Sequence, residues 1–156
     1  MNYWLMKSEP DAFSIDDLQK SPHSTHCWDG IRNYQVRNFI RDTMQIGDEA
    51  FFYHSSCKIP GIVGIVRIVS DVYPDHTAFD PDSKYYDPKS TVENTRWIMR
   101  DVQLLEKFTS IIQLNALRAN KNLEDMLILR PGNRLSITPV TAEQWITILR
   151  MHKESK

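Results

Sequence analysis

EAFFYHSSCKIPGIVGIVRIV, residues 49–69, is the stretch of sequence that decides the fold. Its first part is rich in aromatic residues and predicts a strand over Glu49–His54. Pro60 and Gly61 then break the chain, and Gly61–Val69 carries a pattern of Ile and Val that predicts a second strand. The stretch therefore indicates β-structure in the middle of the chain.

The residues before this stretch predict one strand and two helices. Tyr3–Ser8 is apolar and aromatic, which is typical of a strand. Ser14, with an acid three residues later, resembles a capping box and predicts a short helix through Lys20. Residues 21–27 are polar and predict a loop. Ile31–Asp42 predicts a longer helix, whose core-facing side chains would be Val36, Phe39 and Ile40.

The residues after it mix short strands with helical turns. Residues 73–95 are rich in Pro and Asp and predict a long loop, of a length that is often functional. The elements predicted beyond it are a strand over Arg96–Leu105, helical turns at Leu114–Leu117 and Leu123–Met126, and a strand over Asn133–Ile137. Thr141 and Gln144 form a capping box that opens a C-terminal helix, whose buried residues would be Trp145, Ile148 and Leu149.

Short strands interrupted by helices favour an α+β domain built on a small mixed β-barrel over a doubly wound parallel sheet. The 156 residues suit one domain over 1–156, and 41% hydrophobic with 25% charged residues is ordinary for a globular protein. The signatures GxGxxG, GxxxxGK[ST] and GxSxG are absent from the sequence. The dinucleotide-binding, P-loop and α/β-hydrolase classes therefore lack support.

The formal net charge of −1 excludes a protein that holds nucleic acid by a general positive coat. Any nucleic-acid site would have to combine a local patch with a pocket. No apolar run approaches the ~20 residues of a membrane span, and the N-terminus lacks the basic and apolar segments of a signal peptide. We therefore expect an intracellular protein that is neither secreted nor bound to a membrane.

One candidate binding segment is WDGIRNY, residues 28–34. Trp28 precedes a predicted helix start and is followed by Gly30, which lets the backbone approach a ligand closely. Stacking of a base on an indole contributes about 1–3 kcal/mol, and free N–H groups at a helix start can hold carbonyl or phosphate oxygens. The alternative is a core tryptophan followed by a glycine turn, and composition by itself favours that alternative.

Two arginine-bearing segments are candidates for phosphate or base contacts. Arg134 follows a Pro-Gly-Asn turn, and its planar guanidinium suits either role, although an exposed turn explains it equally well. A face of the predicted helix carries Tyr34, Arg37, Asn38 and Arg41, with no acid among the four. This combination suits phosphate and base contacts, and an ordinary solvated face is the alternative.

The histidines and cysteines do not predict catalysis or metal binding. His54 and Cys57 lie three apart at a strand end, and no third orienting group is evident. His23, His26 and Cys27 include three potential zinc ligands but lack a fourth. Cys27 and Cys57 form no CxxC pair, and two free thiols are expected. The sequence therefore predicts no bound metal and no cofactor.

Several segments together resemble the EVE domain family. The resemblance rests on residues 3–10 (YWLMKSEP), 28–38 (WDGIRNYQVRN), 52–55 (FYHS) and 132–136 (GNRLS), with shorter matches between them, among them YYDP at 85–88. It covers nearly the whole chain in order. Ile31 and Val36 stand where a Val and an Ala are expected, and both changes are conservative.

This resemblance implies a PUA-like fold, without catalytic residues, whose pocket takes a flipped and modified base such as 5-methylcytosine or an oxidised form. By position, the implied base pocket draws on Lys7, Ser8, Glu9, Trp28, Asn33, Tyr34, Tyr53, His54, Ser55, Leu135 and Ser136. The phosphate contacts would come from Arg32, Arg37, Arg41 and Arg134. Which of these residues touch the base and which only support the pocket stays open at this stage.

The implied partner is DNA or RNA that carries a modified base. The compartment would be the cytoplasm in a bacterium and the nucleus in a eukaryote. Two other functions remain as alternatives. The first is an enzyme acting on a nucleotide or small amide, as in ASCH-like relatives, with His54, Lys7 and Glu9 as its candidate groups. The second is a protein-interaction module whose pocket takes a peptide.

Overall fold

The computed structural model describes residues 1–155. The strands are β1 Tyr3–Ser8, β2 Thr25–Cys27, β3 Glu49–His54, β4 Gly61–Ile68, β5 Tyr73–Pro74, β6 Ile98–Met99, β7 Asp101–Gln113 and β8 Ile137–Val140. The α-helices are α1 Ile15–Lys20, α2 Tyr34–Asn38, α3 Leu114–Ala119 and α4 Ala142–Glu154. Short 3-10 turns occupy Pro22–Ser24, His76–Phe79, Lys121–Leu123 and Leu127–Leu129, and a π-helical turn occupies Phe39–Thr43.

Six strands form one curled, half-barrel sheet in the order β2-β7-β4-β3-β1-β8. β1 and β3 run parallel, with Tyr3 opposite Glu49 and Ser8 opposite His54, and the other neighbours are antiparallel. The register shifts in β4 and at Phe52/Tyr53, and such bulges increase local twist. The structure confirms the predicted α+β class with a small mixed, barrel-like sheet.

Both faces of the sheet are apolar and each is covered by helices. Successive strand residues point to opposite faces, so Trp4 and Met6 pack with α1 and α2 while Leu5 packs on the other side with α3 and α4. The second face includes Trp145 of α4, which stacks on Phe51 at a centroid distance of 4.0 Å. Burial on two faces explains why β3 and β4 are apolar almost throughout.

Both predicted capping boxes are confirmed. The Ser14 hydroxyl accepts the Asp17 N–H while the Asp17 carboxylate accepts the Ser14 N–H, which starts α1. Thr141 and Gln144 make the equivalent pair of hydrogen bonds at the start of α4. α4 buries Trp145 and Ile148, as predicted, and partly buries Leu149.

Two predicted boundaries near the middle of the chain are wrong. The helix predicted over Ile31–Asp42 begins at Tyr34, because the side chain of Asn33 caps it, and it continues as a π-helical turn from Phe39. Its predicted inner face is nevertheless correct, with Val36, Phe39 and Ile40 packed on the core. The strand predicted over Arg96–Leu105 is interrupted at Arg100, so that β6 and β7 separate and β7 extends to Gln113.

Three smaller predictions are also corrected. Residues 25–27 are not loop but strand β2, which pairs with β7. The late strand starts at Ile137 and not at Asn133, because the Asn133 side chain accepts the Leu135 N–H and holds these residues in a turn. The turns predicted near Leu123–Met126 lie at 121–123 and 127–129. Within residues 1–155, no helix has the length and apolar character that crossing a membrane requires.

Candidate functional site

A cavity of about 650 Å³ opens where β1 and β3 end. These strands are parallel, so their carboxyl ends lie side by side, and the Ser55 N–H donates to the Ser8 carbonyl oxygen at 3.0 Å. The Lys7 N–H donates to the Ser136 carbonyl oxygen at 2.8 Å, which brings the segment before β8 to the same edge. Three distant parts of the chain therefore meet at one cavity.

The cavity wall mixes polar, charged and aromatic side chains. It is lined by Lys7, Ser8, Glu9, Ala12, Phe13, His26, Cys27, Trp28, Asp29, Gly30, Ile31, Ser55, Ser56, Lys84, Tyr85, Arg134 and Ser136. Its volume lies within the range of about 300–1,000 Å³ that is usual for small-molecule pockets. The cavity has the size and the chemical variety to hold one planar heterocycle.

Trp28 forms part of both the cavity wall and the core. Its side chain is 8% exposed, and its ring meets Phe52 edge-on at a centroid distance of 5.5 Å. Its backbone N–H donates to the Arg100 carbonyl oxygen at 2.9 Å, which fixes this segment beside β7. The two interpretations of Trp28 offered by the sequence are therefore compatible.

The loop at residues 28–32 is held against the loop at residues 73–88 by Asp75, which is fully buried. Its carboxylate accepts hydrogen bonds from the Gly30 N–H at 2.8 Å and the Arg32 guanidinium at 3.0 Å. It also accepts from the Thr77 backbone N–H and hydroxyl. Burial alone raises the pKa of Asp75, but the hydrogen bonds from Thr77, Gly30 and Arg32 outweigh burial and lower it.

Gly30 has a left-handed backbone with φ of 77°, and the Tyr85 ring lies directly against its Cα. A Cβ at this position would lie 2.6 Å from Tyr85 Cζ. The ring of Tyr85 can therefore form the cavity wall only because residue 30 has no side chain.

Seven of the predicted site residues line the cavity. Six belong to the predicted base pocket, and the seventh is a predicted phosphate contact: Lys7, Ser8, Glu9, Trp28, Ser55 and Ser136, with Arg134. The Ser8 hydroxyl donates to the Phe13 carbonyl oxygen, so toward a ligand it has lone pairs to offer. Burial lowers the pKa of Lys7.

Asn33 and Tyr34 lie outside the cavity wall, contrary to the prediction. The Asn33 Oδ1 accepts the Val36 N–H at 3.0 Å and is used as the N-cap of α2. Tyr34 is half-exposed and packs on Trp97 at a centroid distance of 4.8 Å. Asn33 is thus occupied as the cap of α2, and Tyr34, the first residue of that helix, is occupied against Trp97.

Tyr53, His54 and Leu135 are also not brought to the cavity. Tyr53 faces the opposite side of the sheet and is buried in the second core cluster. The His54 Nε2 accepts the Ile15 N–H at 3.1 Å, and burial lowers its pKa although Asp16 opposes that shift. Leu135 packs on the first core cluster, between two neighbours that do line the cavity. The alternation of side chains along the strand explains why Tyr53 faces away from the cavity.

Arg32 is not available as a phosphate contact. Its guanidinium donates five hydrogen bonds inside the protein, two of them to the Tyr85 carbonyl oxygen and one each to Ile31, Asp75 and Thr77. A guanidinium has five N–H donors, so none is left for a ligand. Arg32 therefore ties its own loop to Asp75 and Tyr85, and it does not line the cavity.

Arg37 and Arg41 are both on the surface. Arg37 donates to the Asn38 side chain and lies over the Tyr34 ring at 4.7 Å. Arg41 is exposed and paired with Asp42, an acid that the helical-face interpretation left out. An exposed ion pair such as Arg41–Asp42 contributes little, and Arg37 is held only by Asn38 and Tyr34 beside it, so neither guanidinium is fixed in the core.

Several cavity residues were missed by the sequence interpretation. Phe13 and His26 stack at a centroid distance of 4.6 Å, and Ser56 adopts a left-handed φ of 53°. Tyr85 belongs to the YYDP match with the EVE family but is not among the predicted site residues. A left-handed non-glycine residue is strained and is common at functional sites, but strain cannot be read from sequence.

Cys27 and Asp29 in the cavity wall have raised pKa values. Burial, with help from Asp29, raises the pKa of the Cys27 thiol to about 11. Burial and the neighbouring Asp75 raise the pKa of Asp29. Within residues 1–155, no group of three or more His, Cys, Asp or Glu side chains is arranged to hold a metal ion.

The curled mixed sheet, with a pocket at the ends of its strands, defines a PUA-like domain. The chain belongs to the EVE domain family, whose model matches residues 2–151. Thymocyte nuclear protein 1 of Rattus norvegicus is 45% identical over 168 residues, which cover 97% of this chain and 74% of that protein.

Two solved structures are similarly close. The crystal structure of a Pseudomonas syringae protein is 53% identical with a TM-score of 0.91 and covers 96% of this chain and 99% of that one. The crystal structure of human THYN1 protein in complex with 5-methylcytosine containing DNA is 42% identical with a TM-score of 0.92 and covers 98% of both chains.

Proposed function

We propose that this domain is a non-catalytic reader of nucleic acid that takes one flipped, modified base, such as 5-methylcytosine or an oxidised form, into the cavity. The observation that carries the proposal is the cavity itself, in a chain 42% identical to a human protein crystallised with 5-methylcytosine containing DNA. DNA is therefore the proposed partner, and RNA with the same modified base is the alternative partner.

The wall offers what an extruded base needs, which is a stacking surface together with donors and acceptors for its pairing edge. Trp28, Tyr85 and Phe13 supply aromatic surface, and Ser55 and Ser136 supply hydroxyls. Burial of a methyl group on the base contributes only about 0.8 kcal/mol to the binding free energy. Selectivity for the methyl must therefore come from the shape of the wall.

The geometry does not support His54 or Cys27 as a catalytic group. The imidazole of His54 is already hydrogen-bonded to the Ile15 N–H, and it does not line the cavity. The raised pKa of Cys27, about 11, keeps its thiol protonated near neutral pH. Neither residue is prepared to act as base or nucleophile toward a bound nucleotide.

Trp28→Ala tests the proposal. We expect affinity for an oligonucleotide with one 5-methylcytosine to fall at least about fivefold, because base stacking contributes about 1–3 kcal/mol. Trp28→Phe keeps an aromatic ring and should recover part of the loss. The measurement is fluorescence anisotropy on variants whose folding is checked by circular dichroism.

Unchanged affinity in a folded Trp28→Ala protein would contradict the proposal.

The enzymatic alternative is tested by incubating the same modified oligonucleotides and their nucleosides with wild-type protein and analysing them by mass spectrometry. We expect recovery of unchanged nucleoside, and turnover would establish an enzyme instead. If a peptide binds to the cavity and the modified oligonucleotide fails to displace it, that result would favour the peptide-binding alternative.

Arg37→Ala and Asn33→Ala should separate surface electrostatics from helix stability. Losing one phosphate contact reduces the slope of the logarithm of the binding constant against the logarithm of the salt concentration by about 0.9 on duplex DNA. Arg37→Ala should therefore weaken the binding of modified and unmodified strands alike.

Asn33→Ala removes the N-cap of α2 and should cost about 0.5–2 kcal/mol of stability without changing base preference. Salt titrations and urea unfolding of both variants check this. A change in base preference for Asn33→Ala would return Asn33 to the pocket.

A further inference from the structure

Asp29 is one of two acids in the cavity wall, and unlike Glu9 it is not exposed to solvent. It is half-buried and lines the wall between Trp28 and Gly30. Within residues 1–155, its carboxylate has a hydrogen bond only from its own backbone N–H. A carboxylate can accept about four hydrogen bonds, so Asp29 retains most of its capacity.

The donors that lie close by are taken by the neighbouring acid. The Gly30 N–H and the Arg32 guanidinium both donate to Asp75. Asp29 therefore lies beside a second negative charge without sharing its partners. Burial and the Asp75 charge both raise the pKa of Asp29, and the weaker influence of His26 and His76 does not cancel them. An N–H donor that enters the cavity would relieve this unfavourable arrangement.

The pairing edges of the pyrimidines differ in whether they supply such a donor. Cytosine presents an exocyclic N4 amine, which Asp and Glu accept, whereas thymine presents the O4 carbonyl oxygen at the same place. 5-Methylcytosine and thymine carry the same methyl group at C5 and differ only along this edge. A carboxylate facing that position attracts the first base and repels the second.

We propose that Asp29 is a specificity-determining residue, whose carboxylate accepts a hydrogen bond from the N4 amine of a cytosine-type base in the cavity. The inference rests on the proposed function and adds the residue that recognises the pairing edge of the base. Recognition of the C5 substituent is then a separate property of the wall. Asp29 selects amine over carbonyl, and the shape of the cavity selects methyl over hydrogen.

The test compares two oligonucleotides of the same sequence, with either 5-methylcytosine or thymine at the central position. One good base contact discriminates by about 1–3 kcal/mol, so wild-type protein should prefer 5-methylcytosine at least about fivefold. Asp29→Asn can turn its amide N–H toward O4, and its preference should fall to about twofold or less. The preference for 5-methylcytosine over cytosine should stay as in wild type.

Asp82→Asn is the matched control, because it removes one negative charge from the exposed loop that also carries Lys84 and Tyr85. It should keep the wild-type preference. If Asp82→Asn reduces the preference as much as Asp29→Asn does, the effect is general electrostatics and the inference is overturned. The inference also fails if Asp29→Asn binds 5-methylcytosine and keeps the full preference, while the proposed function stands. If wild-type protein ignores the central base and Trp28→Ala binds normally, the proposed function itself fails.

Discussion

Gly30→Ala is expected to abolish selective binding of the modified base while the fold survives. The added Cβ would lie 2.6 Å from Tyr85 Cζ, so the ring must leave the cavity wall. The Tyr85 carbonyl oxygen also anchors Arg32, so moving this residue disturbs the Asp75 network as well. The left-handed φ of 77° adds roughly 1–2 kcal/mol of backbone strain. We expect a loss of affinity of more than about tenfold, measured by anisotropy on paired modified and unmodified strands.

Gly47→Ala supplies the matched control. Gly47 is also left-handed, with φ of 94°, but a Cβ there would meet no atom within 4 Å. It should lose a similar roughly 1–2 kcal/mol of stability from backbone strain alone and keep its affinity. Equal affinities for the two alanine variants would show that the contact between Gly30 and Tyr85 does not shape the site.

Asp75→Ala is expected to give the largest loss of both stability and binding. It leaves Arg32 without its carboxylate and removes the acceptor of the Gly30 and Thr77 N–H groups. Removing one partner of a buried pair costs roughly 3–5 kcal/mol, and the lower figure applies because the Arg32 side chain is 22% exposed. Urea unfolding measures the stability, and anisotropy at low temperature measures the binding of the folded fraction.

Asp48→Ala is the control for buried carboxylates in general. Asp48 is 2% exposed and accepts hydrogen bonds from Trp4, Asn2 and Gln45, and none of these residues lines the cavity. It should destabilise the protein without a specific loss of affinity. If both variants lose affinity in proportion to stability alone, Asp75 has no particular role in holding the cavity.

The stability that Asp75 contributes should depend on pH with a defined sign. Its pKa is lowered in the folded protein, despite the opposing effect of burial. A carboxyl with a lowered folded pKa contributes stability above its unfolded pKa of about 3.9 and loses it as pH falls through the folded value. The difference in unfolding free energy between wild type and Asp75→Ala should therefore shrink below about pH 4.

Local sequence signals predicted the elements whose cause is local. The capping hydroxyls of Ser14 and Thr141 act within three residues, so both helix starts were correct. Phe52 and Tyr53 lie on opposite faces of the sheet, as the alternation of side chains along a strand requires. The same alternation could have removed Tyr53 from the predicted pocket, because it points away from the face that carries Trp28.

Elements that depend on distant partners were placed less well. β2 is only three residues long and exists because β7 pairs with it across more than seventy residues of chain. The N-cap role of Asn33 and the interruption at Arg100 shortened two predicted elements. Arg100 is buried with its guanidinium bound to the carbonyl oxygens of Ile40, Met44 and Ser70, and such a long-range set of acceptors has no local sequence signature.

The sequence by itself determined the α+β class, the family, and seven of the residues that meet at the cavity. Only the tertiary structure decided which polar groups remain free to bind. Arg32 and Asp29 are three residues apart in one motif, yet the first has used every donor inside the protein while the second keeps an open carboxylate. The physical reason is that Asp75, Thr77 and Tyr85, all more than forty residues away, accept the hydrogen bonds of this loop, and hydrogen-bond partners are assigned in space and not along the chain.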